Sequence, residues 1–147
     1  MRSVTQESLR LRLTGGREAG FMRNSFLIFL GGGLGSVLRY WTVLVAQRVW
    51  PAATFPYGVL VANLLGSFIL GFLFALPAMK SRDASLWLFA ATGVLGGYTT
   101  FSTLANDSWQ LLLNNHPGIA LLNAAGSILA GIAAAACGWQ LARVLFG

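Results

Sequence analysis
The feature that most constrains this chain is an apolar run from Leu86 to Leu113, about 28 residues, interrupted in its middle by Gly96-Gly97-Tyr98-Thr99-Thr100. As one helix the run would be roughly 42 Å long, against about 30 Å for a bilayer's hydrocarbon core. A glycine pair followed by two β-branched threonines is poor helix-forming material. Backbone groups released by a break at membrane depth are tolerated only where protein, an ion or a water-filled cavity satisfies them. The run is therefore expected to be a broken helix at an ion site.

Further apolar runs place the whole chain in a bilayer. Spans are expected at about residues 25–49, 57–79, 86–113 and 119–146, giving an all-α integral membrane protein of four helices. The composition agrees, with 56% hydrophobic residues, 10% charged and a mean hydropathy of +0.67. The single cysteine, Cys137, excludes an internal disulfide, and the single histidine, His116, excludes a histidine-based metal centre within one chain. The net charge of +6 comes mainly from Arg2, Arg10, Arg12, Arg17 and Arg23 ahead of the first span and from basic residues at helix ends. That is membrane-flank placement, not a nucleic-acid-binding stripe. Residues 1–21 are expected to be a disordered, dispensable extension, with residues 22–147 forming the membrane domain. With the amino terminus inside, Arg23, Lys80, Arg82 and Arg143 flank the inner face, so the positive-inside rule favours cytoplasmic termini.

Polar residues inside the spans mark candidate function. In the first span, Gly31-x-x-x-Gly35 has the spacing that lets helices approach closely, and Arg39 calls for a cavity or a polar partner. In the second, Asn63, Ser67 and Gly71 share one helix face, and the Asn63 amide serves either as glue between helices or as a pore-lining donor. In the fourth, Asn123, Ser127 and Gly131 repeat that spacing. Thr99, Thr103 and Asp107 repeat it again beyond the break, with Asp107 in either a capping or a functional role. Asn114-Asn115-His116-Pro117-Gly118 is the clearest turn. Two polar stripes beside a broken helix point to a polar path across the membrane.

The elements Gly31-Gly32-Gly33-Leu34-Gly35-Ser36-Val37-Leu38-Arg39-Tyr40, Pro56-Tyr57-Gly58-Val59-Leu60-Val61-Ala62-Asn63-Leu64-Leu65-Gly66-Ser67-Phe68 and Thr92-Gly93-Val94-Leu95-Gly96-Gly97-Tyr98-Thr99-Thr100-Phe101-Ser102-Thr103 resemble the Fluc/CrcB family of small bacterial fluoride channels. The resemblance implies an antiparallel, dual-topology homodimer in the inner membrane, with two fluoride pores and passive fluoride export. It also implies a structural sodium ion at the dimer centre, held by main-chain carbonyls matching Gly96 and Thr99. Phe101 matches the first of two pore phenylalanines, and Leu104 stands where the second is usual. Asn63 matches the pore amide donor, and Ser102, Thr103 and Ser127 match hydroxyls near the polar track. Asn123 replaces what is often an aromatic hydroxyl, and Arg39 matches a vestibule arginine. The competing readings fit less well. A small multidrug or cation antiporter needs a titratable membrane carboxylate, for which Asp107 is the one candidate. A non-transporting assembly factor needs no polar stripes, and an enzyme would need a nucleophile–base or metal constellation that is not present.

Overall fold
A computed structural model of the chain describes residues 2–76 and 84–147, and every described element is helical or turn, with no strand. The first helix, α1, is Arg2–Val49, and its membrane-length part is Gly20–Val49. α2 is Tyr57–Ala75. The third apolar run is two half-helices. α3 covers residues 84–98 and widens into a π-helix over Leu88–Leu95 before closing with Gly96–Tyr98. α4 is Phe101–Leu113. The last helix, α5, is Pro117–Phe146 with a π stretch at Leu122–Gly126. α1, α2 and α5 are each long and apolar enough to span a bilayer, and the protein is a multi-pass membrane protein.

Three sequence expectations change. The leading residues expected to be disordered continue α1 as helix from Arg2. Their Leu, Arg, Gln and Glu are strong helix formers, and a helix already nucleated in the span propagates into such a segment at little cost. α2 stops at Ala75 because Leu76 turns extended, at ψ 131°. The charged loop expected at Lys80-Ser81-Arg82-Asp83 lies outside the described residues. The break in the third run falls at Thr99 and Thr100, both extended, while Gly96 and Gly97 stay helical.

Gly97 has a packing role instead. α1 lies against α3 along a seam of small residues. A Cβ on Gly35 would meet the Val94 carbonyl oxygen, and one on Gly97 would meet that of Gly32. The Gly31-x-x-x-Gly35 spacing thus packs helix on helix, as its close-approach reading anticipates. α2 and α5 form a second pair, in which Gly71 faces the Ala135 backbone and Gly138 the Phe68 backbone.

The turn after α4 closes as expected and shows why it is sharp. Asn115 adopts a left-handed φ of 58°, a conformation asparagine tolerates better than most residues. The His116 N–H bonds the Leu111 carbonyl at 2.9 Å and the Asn115 N–H bonds that of Leu112 at 3.1 Å, the paired arrangement that seals a helix end. Pro117 then opens α5 at a position where its missing N–H costs nothing. This tight return holds α5 beside α4.

Candidate functional site: the break between α3 and α4
A helix that stops inside the membrane must find partners for its free backbone groups. Thr99 closes the last turn of α3, with its N–H and its hydroxyl both donating to the Leu95 carbonyl at 3.0 Å. Asn63, reaching across from α2, pairs with the Thr100 backbone at two points. Its Oδ1 accepts the Thr100 N–H at 2.8 Å, and its Nδ2 donates to the Thr100 carbonyl at 3.1 Å. The amide thereby occupies the place of a neighbouring strand. Arg39, from α1, donates through Nε to the Gly97 carbonyl at 3.2 Å, which has lost its helical donor because Phe101 begins a new helix. Tyr98 is buried, and its hydroxyl lies 3.0 Å from that of Thr42 on α1.

α4 starts with its own cap. The Thr100 hydroxyl accepts the Thr103 N–H at 3.2 Å and lies 3.0 Å from the Thr103 hydroxyl and 3.3 Å from that of Ser102. Threonine at this position satisfies one of the orphan donors at the helix start. Besides Gly97, the Gly96 and Thr99 carbonyls lose the N–H that a continuous helix would bring them. The Thr100 N–H is diverted from Gly96 to Asn63, and the Thr103 N–H from Thr99 to the Thr100 hydroxyl. Gly96 is also exposed.

Beside the break, between α2 and α5, opens a cavity of about 460 Å³. Two residues of each polar stripe face it, Asn63 and Ser67 from α2 and Ser127 and Gly131 from α5. Gly96, Thr99, Thr100, Phe101 and Leu104 complete the wall nearest the break, and no charged side chain lines it among the described residues. Ser127 is 4% exposed, and its hydroxyl has no hydrogen-bond partner among the described residues. Phe101, by contrast, is 75% exposed at the first turn of α4.

The residues singled out from the sequence are therefore divided. Gly96, Thr99, Asn63, Phe101, Leu104 and Ser127 come together at the cavity. Arg39, Ser102, Thr103 and Asn123 lie off its wall. Arg39 has found the polar partner its position demanded, in the Gly97 carbonyl. Thr103 turns to the opposite side, where it lines a second pocket with Asp107 and the loop after α1. The Thr99, Thr103, Asp107 stripe is split accordingly, because the extended residues at the break interrupt the helical register. Asn123 is fully buried and binds α4, its Nδ2 donating to the Ser108 hydroxyl at 2.9 Å and lying 3.4 Å from the Leu104 carbonyl. Sequence reasoning missed Thr100, Tyr98 and Ser108. Threonine directly ahead of a helical run is an N-cap signal that identifies the first; the other two carry no local signal.

Comparison with known proteins gives the same grouping. The family model described as CrcB-like protein, Camphor Resistance (CrcB), matches residues 26–139. A Bacteroides fragilis protein named fluoride-specific ion channel FluC is 42% identical over 122 residues, covering 82% of this chain and 96% of that protein. Proteins of the same name from Gloeobacter violaceus and Thermus thermophilus are 41% and 40% identical over 124 and 126 residues. They cover 84% and 86% of this chain, and 99% and 100% of their own lengths. A broken membrane helix, two polar stripes and this degree of identity along the span region lead to one conclusion: the chain belongs to the CrcB family, whose members are ion channels and not enzymes.

Proposed function
We propose that the protein is a fluoride-selective channel of the inner membrane that lowers cytoplasmic fluoride by passive export. The observation that carries this reading is the cavity at the break, which offers an amide, hydroxyls and an aromatic ring but no fixed charge. Fluoride holds its water tightly, so a pore that admits it must replace those waters with close donors. The second Nδ2 hydrogen of Asn63, which Thr100 does not use, and the unpartnered Ser127 hydroxyl are such donors. The positive edge of the Phe101 ring suits an anion. Leu104, at 5% exposure, presents only an apolar side chain to the same wall. Hydrogen fluoride enters cells as a neutral acid and ionises in the more alkaline cytoplasm. The membrane potential then drives the anion outwards through any selective pore.

The same reading takes the working unit to be an antiparallel homodimer with a sodium ion at its centre. The main chain suits that cation, because unwound carbonyl oxygens bind a hard cation without a buried carboxylate. Gly96 and Thr99 are the residues that would hold it, each with a carbonyl released from helical bonding. When bound, the ion supplies positive charge that pins the ends of the broken helices. Two carbonyls are too few for one cation, and Gly96 lies on the exposed surface of the subunit, so a second copy would complete the set. Fluoride release from liposomes containing the purified protein, read with a fluoride electrode, tests the channel reading. Rapid fluoride release with chloride retained is expected; retention of both anions by a correctly folded dimer would overturn it.

A further inference from the structure
We infer that Asn63 is a positioning residue for the cation carbonyl as well as a lining residue of the cavity, so that one side chain couples the two ion sites. The inference rests on the cation reading above and goes beyond it. A helix that ran through residue 100 would send the Thr100 N–H back to the Gly96 carbonyl, four residues earlier. In the structure that N–H bonds Asn63 Oδ1 at 2.8 Å, and the Thr100 carbonyl is held by Asn63 Nδ2 at 3.1 Å. Asn63 thus keeps Thr100 extended, at φ −152° and ψ 118°, and leaves the Gly96 oxygen free. Remove the amide, and the Thr100 N–H needs another acceptor in a region with little water. The Gly96 carbonyl is the neighbouring acceptor, and accepting that bond withdraws it from a cation.

The two halves of the amide have separable effects. Oδ1 captures the N–H and thereby frees Gly96; Nδ2 steadies the Thr100 carbonyl and offers its second hydrogen to the cavity. Asn63→Ala removes both. Asn63→Asp keeps an acceptor for the Thr100 N–H but removes every donor. The cation effect should therefore follow the acceptor, and the anion effect should follow the donor.

The test measures thermal unfolding of the purified full-length protein in detergent, titrated with sodium chloride against N-methylglucamine chloride at constant ionic strength, alongside fluoride efflux. Wild-type protein is expected to gain stability with sodium. Asn63→Ala should need about tenfold more sodium for half of that gain, whereas Asn63→Asp should keep a near-wild-type sodium midpoint while losing fluoride efflux. A wild-type midpoint in Asn63→Ala would overturn the coupling and leave Asn63 as a lining residue alone. If Asn63→Ala does not fold, a shifted midpoint in Asn63→Asp is enough to overturn it, because the acceptor is retained there. A wild-type protein indifferent to sodium would overturn the cation reading itself, and the coupling with it.

Discussion
α2 and α5 carry the same short pattern, an asparagine, a serine four residues on and a glycine four beyond that, yet the two copies do different work. Asn63 is half-buried, faces the cavity and spends its amide on backbone that has left the helix. Asn123 is wholly enclosed and spends its amide on Ser108 and, at longer range, on the Leu104 carbonyl of an intact helix. What separates them is the partner. A regular helix offers only crowded, already bonded carbonyls, so Asn123 acts as a tie between α4 and α5. A broken one offers a free N–H and a free C=O together, so Asn63 sets the shape of the break. Identical spacing in a sequence does not imply identical roles when the neighbouring backbones differ.

Five variants sharpen or break that contrast. The largest effect is expected at Asn63. Asn63→Asp should lower fluoride efflux by about a hundredfold, since a donor facing an anion becomes a negative charge; efflux at the wild-type rate would remove Asn63 from the ion path. Next comes Gly71, where any Cβ meets the Ala135 backbone. Gly71→Val should cost about 1–3 kcal/mol, seen as a lower melting temperature in detergent. Its counterpart Gly131 has only the Ser67 hydroxyl at 3.5 Å from a built Cβ, so Gly131→Ala should shift stability by no more than ~0.5 kcal/mol. Asn123→Leu should lose about 0.5–1.5 kcal/mol through the lost bond to Ser108, since the Ser108 hydroxyl keeps its own bond to the Leu104 carbonyl at 2.8 Å. A variant that melts like wild type but does not conduct would move Asn123 from tie to ion path. The smallest effect on stability belongs to Ser127. Its hydroxyl has no partner to lose, so Ser127→Ala should melt within ~0.5 kcal/mol of wild type while fluoride efflux falls.

Much of this molecule was legible in the sequence, for reasons that can be located. Spans longer than a bilayer is thick leave few choices of architecture, and the turn at Asn114–Gly118 is written in residues whose backbone preferences are strong. That each polar stripe lies on one helix face also followed from its period. The position of the break did not, because local propensity pointed to Gly96-Gly97. Glycine is a poor helix former in water, but the missing side chain of Gly97 is what α1 needs in order to approach, and the helix survives through the pair. The break comes where Asn63, distant by 37 residues in sequence, captures the Thr100 backbone. No local window contains that pair. Arg39 was legible as needing a partner but not as finding the Gly97 carbonyl, 58 residues away. Asn123 read as part of a polar stripe, and only tertiary packing shows that its amide turns toward Ser108.

The break at Thr99 and Thr100 also has an electrical side. α3 ends there and α4 begins there, so the partly negative end of one helix and the partly positive start of the next meet within two residues. An unbroken helix carries such poles only at its tips, far apart at the membrane surfaces. Interrupting it brings both signs to the interior, with Arg39 on the Gly97 carbonyl as the charged side chain bonded to the break. On the reading proposed above, hosts for a cation and for an anion would then arise side by side from the main chain.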